Sequence, residues 1–379
     1  MNIPWIKNRS PADEPGFWGD NFSRRLHLDP PLLFALLALS ALGLMILYSA
    51  SGQNLDMVLR QGVRMAISFV VLLVLAQIPP QQLRLWSPWL FAAGTALLVV
   101  VLLIGTVGKG AQRWLNLGLF RFQPSEMMKV AVPMAIAWYL CETPMPPGRL
   151  RLLVASLMMA LPAALVAKEP DLGTAFLIAC AGFFVLFLAG LRWRLIIVCL
   201  LLAAAAAPLM WHLMHAYQRE RILTFLNPES DPLGAGYHII QSQIAIGSGG
   251  LYGKGWLNGT QSHLDFLPER STDFIFSVFG EEFGLIGAAL SVALYLFVTL
   301  RGLYIASQAQ DTYTRLLAGS LSLTFFVHVF VNVGMVTGLL PVVGLPLPMI
   351  SYGGTALVSL MAAFGMLMSI HTHRRLVSS

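Results

Sequence analysis

Asp265-Phe-Leu-Pro-Glu-Arg-Ser-Thr-Asp-Phe-Ile-Phe276 is the stretch on which the reading of this chain turns. It closes a long polar segment and runs directly into an apolar run reaching Leu300. Crossing a hydrocarbon core takes about 20 mostly apolar residues, so this run is a membrane span. Asp273 then stands at its mouth, where water meets lipid. A carboxylate held there suits chemistry on a lipid-linked molecule.

The same pattern recurs on either side. Apolar runs at roughly 31–50, 62–79, 85–107, 124–141, 150–167, 172–190, 193–214, 273–300, 314–338 and 349–371 predict about ten spans. The chain is 57% hydrophobic and 11% charged, with mean hydropathy +0.71. Those values exclude a soluble domain and define an all-α, polytopic integral membrane protein. Period-two alternation is absent, so strands are not expected. A tail over 1–29, a transmembrane domain over 30–375 and a tail over 376–379 make up the expected organisation. The domain includes one large loop, 215–272, between the seventh and eighth spans. The first span lacks a small-residue cleavage site and reads as an uncleaved anchor. Cys141, Cys180 and Cys199 lie in apolar runs without metal-like spacing and read as small buried hydrophobes.

Ten spans put both termini on one side. Short loops on that side carry Arg84, Arg149, Arg151, Arg192, Arg194 and Arg315 with few acids, as cytoplasmic loops do. Cations on the opposite side gain nothing from insertion. Glu126, Glu169, Asp171 and Glu269 neutralise some of them, and the remainder suggests a cationic pocket for an anionic ligand, diphosphate being the obvious candidate.

Four motifs follow. In Phe120-Arg-Phe-Gln-Pro-Ser-Glu-Met-Met-Lys129, Pro124 suits a first helical turn, which puts Glu126 and Lys129 at i,i+3. A structural ion pair would explain both. Arg113 and Arg121 have no acid nearby in sequence and are better ligand candidates. Lys168-Glu-Pro-Asp171 makes a sharp turn in which Asp171 either caps the next helix or joins Lys168 in binding. Tyr237 to Ile246 has the pattern of a short amphipathic helix on the membrane, and glycines 247, 249, 250, 253 and 255 suggest a mobile, tightly folded loop. Asp273 either caps its helix or acts chemically. At about 100° per residue, Ser277, Gly280, Gly284 and Gly287 share its face, with Glu281 nearer that face than Glu282. Gly338 to Gly354 is apolar yet rich in Pro and Gly, so it must pack inside protein, where Ser351 and Tyr352 could reach a bound head group.

Together these motifs resemble the SEDS family (shape, elongation, division and sporulation). Its marks are Gly-Ala-Gln-Arg113-Trp, Arg121-Phe-Gln-Pro-Ser-Glu126, Pro170-Asp171-Leu-Gly-Thr-Ala, Phe266 to Phe276, Gly280-Glu-Glu-Phe-Gly and Gly344 to Gly354. Gly259-Thr-Gln-Ser262 looks more like the elongation members than the division members. The resemblance covers about Pro31 to Arg375. It implies a peptidoglycan glycosyltransferase that polymerises lipid II at the outer face of the cytoplasmic membrane. It also implies a class B penicillin-binding protein as transpeptidase partner, within the rod elongation complex, and no nucleic acid. The family's critical loop aspartate falls on Asp273, and its sensitive arginine, ion pair and turn aspartate fall on Arg121, Glu126 with Lys129, and Asp171.

On this reading Asp273 is the general base, and Arg113, Arg121 and Lys129 face the leaving diphosphate. A divalent cation, Mg or Mn, is a candidate with Asp273 as ligand instead; no organic cofactor is expected. A lipid II flippase is the alternative from another class, and a scaffold the third. One-sided charge and invisible inverted repeats count against transport.

Overall fold

The computed structural model describes residues 26–108, 111–116, 121–213, 216–230, 235–263 and 269–373. The terminal tails up to residue 25 and from 374, and positions 265–268 of the quoted stretch, lie outside them. Ten long helices occupy the ten expected spans. In chain order they begin with α1 Pro30–Ala50, α2 Leu55–Gln77, α3 Pro80–Ile104, α4 Pro124–Leu140, α5 Arg149–Lys168, α6 Leu172–Leu188 and α7 Trp193–Leu213. After three shorter helices come α11 Ile275–Ser307, α12 Thr312–Val336 and α13 Thr355–Thr372. Among the described residues, seven helices are long and apolar enough to cross a membrane. The protein is a multi-pass membrane protein. On α2, Leu59, Val63, Ile67, Val70 and Val74 form an exposed apolar stripe at helical spacing, a face that only lipid satisfies.

Local chemistry sets the helix starts. Pro30, Pro80 and Pro124 open their helices, while Asn54, Asp171 and Asp311 accept hydrogen bonds from the Met57, Thr174 and Thr314 amides. α12 forms the centre, packed by α11, α6 and α4; α13 packs on α2, and α1 on α11. At one end of the bundle, Asp29 binds Arg301 through two bonds of 2.7 and 2.8 Å, and His27 stacks on His373 with ring centroids 3.9 Å apart. The start of α1 therefore meets the end of α13.

The expectation of no strands is corrected. Between α3 and α4 lies a small antiparallel sheet of β1 Thr106–Gly108, β2 Ala111–Asn116 and β3 Arg121–Phe122. Trp114 pairs with Thr106, and Asn116 with Arg121. Strands of two to six residues are too short to show alternation.

The large loop is largely helical: α8 Ala216–Leu226, α9 Ala235–Ser248 and α10 Thr260–His263. The amphipathic segment is α9. It packs against α11, and its Ser242 hydroxyl bonds the Val336 carbonyl at 2.8 Å. The glycine-rich stretch after it is docked. α11 breaks at Gly284, whose φ of 63° is non-helical. Residues 250–255 fill the break: the Lys254 and Gly255 amides bond the Glu281 and Glu282 carbonyls, and the Leu285 and Ile286 amides bond the Gly250 and Leu251 carbonyls, all at 2.9–3.2 Å. A Cβ on Gly253 would lie 2.1 Å from the Glu282 carbonyl oxygen. Gly249 and Gly253 thus serve close backbone approach rather than mobility.

Candidate functional site

Asp273 is held through its backbone. The Asn332 amide of α12 donates to the Asp273 carbonyl at 3.0 Å and to the Leu345 carbonyl at 2.6 Å. The Ser351 hydroxyl donates to the Thr272 carbonyl at 2.5 Å and accepts from the Leu347 amide, and the Tyr352 amide bonds the Ser271 carbonyl. Gly344, at φ 75°, leaves the space where a Cβ would stand 3.5 Å from Asp273 Oδ2. Phe274 occupies the cap position of α11, and its own side chain makes no cap hydrogen bond. Ser351 makes two internal bonds that hold the Asp273 loop.

Beside this loop, at the same end of the bundle, opens a cavity of about 1260 Å³ between α2, α3, α4 and α13. Its polar lining includes Arg64, Arg113, Gln123, Glu126 and Ser359; deeper, Leu75, Leu90, Met134 and Met366 make it apolar. Arg64 lies over the Tyr352 ring, 4.5 Å from its centre, and so joins the cavity to the Asp273 loop.

Glu126 and Lys129 pair at 2.6 Å, both nearly buried, as their spacing predicted, and the Ser359 hydroxyl adds a bond to Glu126 at 3.0 Å. Arg113 is not without an acid: its guanidinium bonds the Glu169 and Pro170 carbonyls and lies 3.8 Å from Asp171. Asp171 caps α6 by accepting the Thr174 amide, as its turn position predicted, and also receives the Gln123 amide at 3.0 Å. Glu169 is buried beside it. Burial, reinforced by Asp171 and partly offset by Arg113, pushes its carboxyl up to about 8.

Lys168 is exposed at the end of α5, and Arg121 contributes its backbone to β3. Glu281 faces away from the cavity, binding the Lys254 ammonium at 2.7 Å and the Thr260 and Gln261 amides at 2.8 and 3.0 Å. It anchors the docked loop. Sequence reasoning missed Arg64, Gln123 and Ser359. Arg64 carried one local signal, a cation just inside an apolar span, where charges are functional candidates by default.

Fold and site together define a multi-pass membrane protein with a large cavity, lined by Arg64 and Arg113 at one end and apolar beyond, and an aspartate held by its backbone on the adjoining loop. Residues 30–376 match the FtsW/RodA/SpoVE model, described as cell cycle protein, and the chain belongs to that family. It is 54% identical to the peptidoglycan glycosyltransferase MrdB of Escherichia coli K12, over 94% of this chain and 97% of that one. A solved structure described as structural coordination of polymerization and crosslinking by a peptidoglycan synthase complex superposes with a TM-score of 0.81 at 30% identity, over 92% of this chain and 99% of the other. Rod shape determining protein RodA of Thermus thermophilus superposes with a TM-score of 0.70 at 28% identity, over 91% and 96%.

Proposed function

We propose that this chain is a peptidoglycan glycosyltransferase that polymerises lipid II for cell elongation. The carrying observation is the juxtaposition of Asp273, fixed on its backbone by Asn332 and Ser351, with a large cavity that is cationic at that end and apolar beyond it. At about 1260 Å³ the cavity exceeds the roughly 300–1,000 Å³ of ordinary small-molecule pockets, which suits a long lipid tail.

The 4-hydroxyl of an acceptor GlcNAc attacks C1 of MurNAc. The new C1–O4 bond forms as the bond from C1 to the diphosphate oxygen breaks, inverting the anomeric centre. The Asp273 carboxylate takes the hydroxyl proton as general base. Undecaprenyl diphosphate leaves as an anion and needs positive charge more than an acid, which Arg64 and Arg113 supply at the cavity wall. Arg121, whose backbone lies on β3, is assigned the same role toward the leaving diphosphate on the family motif. A divalent cation, Mg or Mn, would be held by Asp273 and would supply positive charge to the leaving diphosphate; among the described residues no group of three His, Cys, Asp or Glu could hold a metal. The partner is a class B penicillin-binding protein in the rod elongation complex. Both termini face the cytoplasm and the Asp273 end faces outward.

Purified protein with its cognate transpeptidase, free of other glycosyltransferases, is given fluorescent lipid II and the products are run on a gel. Wild type gives glycan ladders and Asp273→Ala gives none. Equal polymer from both would overturn the role of Asp273, and lipid II binding without polymer from wild type would turn the question to flipping in liposomes.

A further inference from the structure

His328 is buried midway along α12, and the reaction above makes no use of it. Its Nε2 finds no hydrogen-bond partner among the described residues, while the ring also meets the Pro346 carbonyl. A buried lone pair without a partner is costly, and native proteins satisfy such groups with protein or with ordered water. The ring borders a small cavity of about 40 Å³ that Lys129, Thr324 and Ser359 also line. One water needs only about 10–15 Å³ and two to four polar partners.

The walls supply those partners. The Lys129 ammonium has three N–H donors, and the Glu126 bond accounts for one. Thr324 donates its hydroxyl hydrogen to the Ser320 carbonyl at 2.8 Å and keeps a lone pair. His328 Nε2 accepts.

We propose that a water bound in this cavity joins Lys129 to His328, making His328 a positioning residue for the Glu126–Lys129 pair. The water accepts from the ammonium and donates to Nε2. Held from both sides, the ammonium keeps Glu126 at the wall of the large cavity. The same ring steadies Pro346, while Asn332, one turn further along α12, holds Leu345 and Asp273. Two side chains at i,i+4 thereby bring the ion pair and the aspartate loop to one register.

This rests on the glycosyltransferase reading, so the test separates the two. Polymerisation of lipid II is measured for wild type, His328→Leu and His328→Gln with the cognate transpeptidase present. His328→Leu loses roughly tenfold to a hundredfold in kcat from small displacements of the pair. Its KM stays within about twofold. His328→Gln, whose amide oxygen restores an acceptor, recovers much of the rate. Wild-type kcat in His328→Leu, or equal impairment in both variants, overturns the proposal.

A high-resolution structure of the wild-type complex is the second measurement, and it also decides where His328→Leu does not fold. A water bridging Lys129 Nζ and His328 Nε2 supports the proposal, and a dry cavity overturns it. Absence of polymer from wild type overturns the glycosyltransferase reading, and the water then decides this one alone.

Discussion

The side-chain amide of Asn332 reaches the backbone carbonyl of Asp273 at 3.0 Å, so the aspartate on the α11 side of the site is registered by the helix that follows it. The same amide holds the Leu345 carbonyl. Asn332→Leu leaves both carbonyls without their donor, at a cost of about 1–3 kcal/mol in stability. The variant should lose most polymerase activity while still folding at low temperature. Thermal unfolding in detergent and the lipid II gel assay measure the two effects.

Glu126 and Lys129 form a nearly buried pair. Removing one charge strands the other, and breaking such pairs costs about 3–5 kcal/mol. Glu126→Gln alone should therefore be strongly destabilised. Replacing both residues together, by Gln and Met, should recover stability but not activity. A double-mutant cycle on unfolding and on polymerisation separates the two contributions.

Arg64 lines the large cavity and stacks on Tyr352. Arg64→Lys keeps the charge but loses the planar face and the fork of donors. Its affinity for undecaprenyl diphosphate should fall by roughly tenfold, about 1.4 kcal/mol, and Arg64→Ala should fall further. Titration of the free carrier diphosphate reads this without turnover.

Glu169 gives the fold a pH dependence of definite sign. Its carboxyl is raised from 4.5 to about 8 in the folded chain, so the folded state holds the proton more tightly than the unfolded state. Its stabilising contribution is complete below the unfolded value and is lost as pH rises through about 8. Glu169→Gln should flatten the stability profile across that window and melt higher than wild type at alkaline pH, by on the order of a few kcal/mol. Melting curves from pH 5 to 9 decide it.

Gly253 carries a steric test of the docked loop. At φ 81°, with the Glu282 carbonyl against it, Gly253→Ala should cost roughly 1–3 kcal/mol or more. Faster hydrogen exchange at the Lys254, Gly255, Leu285 and Ile286 amides would report release of the loop; unchanged exchange would contradict the docking.

What was legible in the chain was whatever its local pattern determines. Ten apolar runs became ten long helices, because the run length needed to span lipid needs no tertiary context. The i,i+3 spacing of Glu126 and Lys129, and Asp171 as a cap, were legible for the same reason. The remainder depends on contacts between distant segments. Angles counted from Asp273 along a continuous helix had no basis, because helical backbone begins only at Ile275 and breaks at Gly284. Glu281 was assigned to the wrong neighbours for that reason. Arg113 seemed free of acids because Asp171 lies 58 positions away and meets it only in the fold.

The splice at Gly284 bears on how the chain is made. Four backbone groups of α11 bond residues 250–255, so its entry into the bilayer and the docking of that segment are coupled events. Synthesis delivers residues 250–255 before α11, in the order the coupling needs. A permuted chain with α11 translated first would carry those groups bare into lipid until its partner segment arrived.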